Sequence, residues 1–122
     1  MADAPTQRDP SCLFCRIVAH EVPADVVRDG ARTVAFRDIA PQAPSHVLVV
    51  THEHYPNVAA LVAADPQLAA ELMADAAAVA AELGLDRAGY RLVLNTGTEG
   101  GQTVSHVHVH VLGGRIMRWP PG

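Results

Sequence analysis

Residues 106–111 read His-Val-His-Val-His-Val, an unbroken alternation with a period of two. Such a run fits an extended strand and no other regular structure, because successive side chains of a strand leave on opposite faces. The valines then face a core. His106, His108 and His110 stand in a row on the other face, neighbours about 6.6–6.8 Å apart. A merely solvated face would mix Thr, Glu and Arg, so three imidazoles in register point to chemistry. Two chemistries fit the row. One is metal binding by H-x-H on a strand, with the ion activating water. The other is a nucleophilic imidazole, attacking through one ring nitrogen while an acceptor holds the N–H of the other.

The rest of the chain supplies a fold around that strand. Ser11 is a candidate cap for a short helix through about His20, with Leu13, Phe14, Ile17 and Val18 as its apolar stripe. Residues 24–28 and 33–37 read as strands joined by a turn at Asp29-Gly30, and 46–51 as a third, strongly apolar strand. Asp65-Pro66 starts a long helix that Gly84 ends, with Leu68, Leu72, Val79 and Leu83 at helical spacing. Strands over 90–95 and 105–112 follow, separated by the glycine-rich loop TGTEGGQT. The expected class is α+β: a five-stranded antiparallel meander with two helices. Residues 1–10 read as a disordered arm and 11–122 as a single domain that includes a tail over 113–122.

With 122 residues there is room for one core. Nine basic against thirteen acidic residues give a net charge of −4, which argues against a chain that wraps nucleic acid. All nine basic residues are Arg, so a P-loop lysine and Schiff-base chemistry are excluded. No apolar stretch is long enough for a membrane span, and the polar start has no signal-like core, so the expected location is cytoplasmic. Gly97, Gly100 and Gly101, leading straight into the histidine strand, read as an anion nest for phosphate, with Asn95 and Thr103 as neutral donors at its ends.

Taken together, FRDIAPQAPSHVLVV, LNTGTEGGQTVSHVHVHVLGGR and the ending RWPPG are similar to the histidine triad nucleotide-binding proteins, the Hint branch of the histidine triad superfamily. The resemblance covers about residues 11–122. It implies hydrolysis of purine nucleoside 5′-phosphoramidates and related nucleotidyl conjugates through a covalent nucleotidyl-histidine, with no metal required for catalysis. His108 would be the nucleophile, His110 a phosphate contact and His46 a supporting residue, with His106 completing the triad. Asn95, Gly101 and Thr103 match phosphate-contacting positions, Thr103 standing where serine is common. Asp38 matches the ribose-binding acid. Leu13, Phe14, Ile17, Phe36, Ile39 and Leu48 match the base pocket. A nucleotide-binding regulatory module with weak activity is the alternative from another functional class.

Cys12 and Cys15 form a C-x-x-C with no preceding strand, which disfavours a thioredoxin-like pair and leaves half a zinc site or two buried thiols. The resemblance to zinc-bearing members of the superfamily implies His54 and His106 as the remaining ligands of a structural zinc. Eukaryotic Hint proteins generally lack these cysteines.

The long helix is apolar over most of its circumference, more than one sheet face can cover. Its alanine-lined side, with Ile116, Met117 and Trp119 beyond the last strand, predicts a homodimer with a sheet continuous across two copies. By resemblance, Trp119 would reach the second copy's active site and help select the leaving group.

Overall fold

The computed structural model describes residues 8–122. Its elements are α1 (Leu13–Val18), β1 (Val26–Asp29), β2 (Thr33–Arg37), β3 (Ser45–Thr51), α2 (Val58–Ala64), α3 (Pro66–Glu82), β4 (Tyr90–Val93) and β5 (His108–Gly113). The class is α+β, and all four strand pairings of the five-stranded sheet are antiparallel. No helix of the described residues is long and apolar enough to cross a membrane.

The strand order is β1-β2-β3-β5-β4, which corrects the simple meander. The last strand inserts between β3 and β4 because both of its faces are covered. Half-exposed β4 takes the edge instead. Register does the rest. Val47 lies opposite Val111 and Val49 opposite Val109, while Leu48 lies opposite His110 and Val50 opposite His108. The valines therefore share one face, where they meet Leu61 of α2 and Leu68, Leu72, Ala76 and Val79 of α3. The other face carries a smaller core of Phe14, Cys12 and Cys15 against Val34, Phe36, Leu48 and Val50. The strand expected over 105–112 starts at His108: His106 lies in a bend, its N–H on the Val104 carbonyl at 2.9 Å, and Val107 leads into the strand with its N–H on the Tyr55 carbonyl at 2.7 Å.

Both ends of α1 differ from expectation and one helix is additional, each for a local reason. Ser11 does not cap α1. Its N–H and hydroxyl both bond to Asp9, and Cys12 caps the helix, its sulfur accepting from the Cys15 N–H at 3.4 Å. Helix α1 stops at Val18, because His20 takes a left-handed φ of 64° and the Glu21 N–H closes on the Arg16 carbonyl at 2.8 Å. A third helix, α2, precedes the long one. Asn57 caps it, its side-chain oxygen accepting from the Ala60 N–H at 2.9 Å, and Leu61 pins it to the core. Asp65 caps α3 as expected, accepting from the Leu68 N–H at 3.0 Å with Pro66 behind it. Arg32 ties that cap down, bonding Asp65 at 2.8 Å and pairing with Glu53. Of the expected N-terminal arm, residues 1–7 lie outside the described residues. Among the described residues, Asp9 is tied to the fold, its carbonyl accepting from the Cys12 N–H at 3.0 Å.

Leu72 is buried between α3 and the sheet, whereas Met73 lies on the exposed side of the same turn. Leu72→Ala should lower the unfolding free energy by about 2–5 kcal/mol, and Met73→Ala should stay within about 0.5 kcal/mol. Urea titrations of both variants check this difference; equal losses would place the core elsewhere.

Candidate active site and metal centre

Four histidines have their tautomers fixed by their neighbours. Burial pushes the pKa of each below the ordinary value, with His106 and His110 down to about 4. All four rings are therefore neutral at pH 7, each with one N–H and one lone pair. His108 places Nδ1 2.7 Å from the His106 carbonyl, an acceptor, so Nδ1 carries the proton and Nε2 is bare. His46 receives the Gln42 N–H on Nδ1 at 3.0 Å, so its Nε2 carries the proton and donates to His110 Nδ1 at 2.9 Å. His110 then presents an N–H at Nε2. His106 sets Nε2 2.8 Å from the Thr51 carbonyl, which leaves Nδ1 as its lone pair.

These assignments bear on the two chemistries open for the histidine row. His46, His110 and Asp38 lie close enough together to hold an ion. However, the backbone N–H on His46 Nδ1 forces a proton onto the nitrogen that would have to ligate. The arrangement instead makes a relay of hydrogen bonds ending in a donor beside a bare imidazole nitrogen, which suits nucleophilic catalysis.

His108 and His110 open onto a cavity of about 380 Å³ over the smaller core. Leu13, Phe14, Ile17, Phe36, Ile39 and Leu48 all line it, as do Asp38 and Thr103. Phe14 packs edge-on against His108 with ring centres 5.1 Å apart. Ile39 is fully exposed at the rim and Leu13 is 45% exposed, so a flat apolar ligand would cover surface that water now meets. Asp38 accepts the Ala40 N–H at 2.8 Å through Oδ1, and its Oδ2 lies 3.5 Å from His46 Nε2, with lone pairs left for further donors.

Other expected residues fall elsewhere. Asn95 lines a neighbouring cavity of about 240 Å³ that shares His110 with the first and is also lined by His46. Gly101 lines neither cavity. The glycine loop is closed on itself: the Gly101 N–H bonds the Thr98 carbonyl and the Gly97 N–H bonds the Gln102 side chain. These two amides are committed inside the loop and are not among the donors the expected anion nest would offer. Gln102, which sequence reading missed, is the pin, its amide nitrogen also donating to the Pro56 and Val104 carbonyls. A polar residue among glycines gives no sequence signal for that role. Trp119 is 82% exposed, and Met117 and Pro121 of the same chain line the smaller cavity.

His106 faces away from the cavity and is fully buried. Its Nδ1 lies 3.3 Å from Cys12 Sγ and 3.5 Å from Cys15 Sγ, and Cys15 Sγ lies 3.4 Å from His54 Nδ1. A tetrahedral ion bound at about 2.0–2.3 Å needs ligand atoms roughly 3.3–3.8 Å apart. The donor set, two thiols and two imidazoles, is zinc chemistry, and the His106 lone pair already points inward. The four expected residues thus form a cluster able to hold a metal ion. Burial raises the Cys15 thiol to about 11, so the free thiol is protonated at neutral pH and loses its proton on binding an ion.

A sequence profile of the HIT domain matches residues 19–117. The chain belongs to the HIT domain family. It is 46% identical to an uncharacterized HIT-like protein of Synechococcus elongatus over 110 residues, covering 90% of this chain and 96% of that one. A crystal structure of a HIT family hydrolase from Legionella pneumophila superposes with a TM-score of 0.88 at 46% identity, over 92% of this chain and all of the other. A histidine triad nucleotide-binding protein from Candida albicans gives a TM-score of 0.78 at 28% identity, over 90% and 83% of the two chains.

The depressed pKa of His110 links stability to pH. Between about 4 and 6.5 the unfolded chain holds a proton on this residue that the folded HIT domain does not. Stability should therefore fall as pH drops through that window. Thermal melts from pH 7 to 4.5 should show a falling midpoint, with a shallower slope in His110→Asn. An unchanged slope would mean that the imidazole titrates freely.

Proposed function

We propose that this protein is a HIT family hydrolase of the Hint branch, cleaving purine nucleoside 5′-phosphoramidates and related nucleotidyl conjugates. One observation carries the reading. His108 is held by its Nδ1–H on a main-chain carbonyl, so that a bare Nε2 stands at the edge of an apolar cavity that also contains a carboxylate. The cavity has the size and lining for a purine, and Asp38 has acceptors free for the ribose hydroxyls.

The chemistry then runs in two displacements. His108 Nε2 attacks the α-phosphorus, a P–N bond forms, and the bond to the leaving amine breaks, the amine taking up a proton. Water attacks the same phosphorus, the P–Nε2 bond breaks, and the nucleoside 5′-monophosphate leaves with the water oxygen. His110 Nε2–H and the Thr103 hydroxyl are neutral donors that line the same cavity as the nucleophile, suited to the charge that builds on the phosphoryl oxygens. Asn95 stands on the far side of His110 and is the further phosphate candidate. An ion in the Cys12-Cys15-His54-His106 cluster would meet four protein ligands with no open position, so its role is structural.

His108→Gly should keep the fold and bind AMP nearly as the parent does, while turnover of an adenosine phosphoramidate falls by at least about 10³-fold. Parent protein quenched during turnover should carry labelled nucleotide on His108. More than about a tenth of the parent rate in the variant would defeat the nucleophile assignment, and binding without turnover in the parent would favour the regulatory module.

We further propose a homodimer that continues the sheet through the open edge of β4. Beside that edge lies a depression of about 560 Å³ lined by Tyr90, Arg91, Ile116 and Met117, with Ile116 87% exposed. Ala70, Met73 and Ala77 leave a bare stripe on α3 as well. Sedimentation at micromolar concentration should give about twice 12.9 kDa; the monomer mass would reject the dimer.

A further inference from the structure

Two features outside the cavity chemistry meet at a single residue. His106 contributes its ring to the thiol–imidazole cluster, and its carbonyl holds the nucleophile's Nδ1–H at 2.7 Å. Its other ring nitrogen is anchored on the Thr51 carbonyl at 2.8 Å, and the next residue is tied by its N–H to Tyr55, the neighbour of His54. Rotation of the peptide after His106 is thus limited from three sides, one of them the cluster.

A second connection runs through α1. Phe14 lies between Cys12 and Cys15 in sequence, and its ring packs against His106 at 5.8 Å, His108 at 5.1 Å and Phe36 at 5.6 Å between centres. It also lines the cavity, together with Leu13 and Ile17 of the same helix. Helix α1 has six residues, too few to hold itself together in water. Its position depends on its attachments, and both cysteines are among them.

We infer that the Cys12-Cys15-His54-His106 centre is a positioning device for nucleotide binding, so that an ion of the zinc class held there tightens the base cavity and fixes the nucleophile. The inference rests on the functional reading above for the identity of the ligand. Without an ion, the four groups meet only through sulfur–nitrogen contacts of 3.3–3.5 Å. An ion held there would be ligated by Cys12, Cys15, His54 and His106 and would replace those contacts with bonds to a single centre. Helix α1 and the residue before the nucleophile's neighbour are then cross-linked through one atom. The wall of the cavity and the carbonyl that orients His108 move as a unit.

Coupling of this kind is reciprocal: the factor by which the ion changes nucleotide affinity equals the factor by which nucleotide changes ion affinity. The experiment uses the full chain, stripped with a chelator under reductant, with and without one equivalent of zinc, and AMP as the probe. Calorimetry should show AMP binding at least about fivefold tighter to the zinc-loaded protein. Competition against a chromophoric chelator should show zinc held tighter by the same factor when AMP is saturating. Equal AMP affinity in the two states overturns the inference and leaves the functional reading intact. Failure of AMP to bind in either state overturns both.

A cobalt-substituted sample needs no metal-free state. Its d–d bands should shift on titration with AMP, saturating at the calorimetric affinity, because His106 ligates the ion and touches the nucleophile's proton. A cobalt spectrum indifferent to saturating AMP overturns the inference. A structural ion that only holds the fold would raise the melting temperature and move neither measurement.

Discussion

The pairing of β3 with β5 sets which face of the sheet His46, His108 and His110 take. Val47 and Val49 meet Val111 and Val109 on the helix side, while Leu48 and Val50 meet His110 and His108 on the other. A slip of one residue would exchange the faces, burying imidazoles under α3 and opening valines to the cavity. Two devices beyond the ladder oppose that slip. The His46–His110 bond crosses the two strands and forms only in the native register. Gly113 allows Leu85 so close that an added Cβ would stand 2.8 Å from its methyls.

The two faces of the sheet are built differently. The α3 side is a continuous aliphatic core closed by a 17-residue helix with its own cap and proline start. The α1 side has a six-residue helix over a core that includes two thiols. The large face has apolar area enough to hold the domain together. The small face adds thiol and imidazole contacts to a smaller apolar cluster, and it is where the cavity opens. An aliphatic core on one side lets the other side keep exposed Leu13 and Ile39 at a cavity mouth.

Much of this was legible in the sequence, for identifiable reasons. The His-Val alternation fixed a strand and its two faces, because period two has one structural meaning. The Asp65-Pro66 start and the Gly84 stop of α3 are backbone chemistry that neighbours do not override. All six residues expected at the base cavity line it, but only the resemblance could choose them, since apolar residues near a strand look alike. The failures have physical causes too. His106 continues the alternation yet lies outside the strand, because the Thr51 carbonyl and the thiols claim its ring. Helix α2 is short, and its Asn57 cap sits eight residues before the stronger signal at Asp65. The closing of the glycine loop by Gln102 is a long-range side-chain event without a local pattern. The order β5 before β4 follows from burial on both faces, which no strand shows on its own.

The charge around the cavity adds a constraint on turnover. Among the described residues, Arg37 is the one cationic side chain lining it, and it lies 3.5 Å from Asp25, while Asp38 contributes a negative charge beside the histidines. The four histidines are neutral. On the proposed reading, a phosphoramidate linked through nitrogen arrives with one phosphoryl charge and leaves, after hydrolysis, as a monophosphate with nearly two at neutral pH. Neutral donors such as the His110 N–H accommodate the first without a cation. The second charge meets Asp38, which lines the same cavity as His108 and His110. On that reading, the neutrality that leaves His108 Nε2 bare for attack also means that no imidazolium holds the product, so low pKa values serve both the attack and the release.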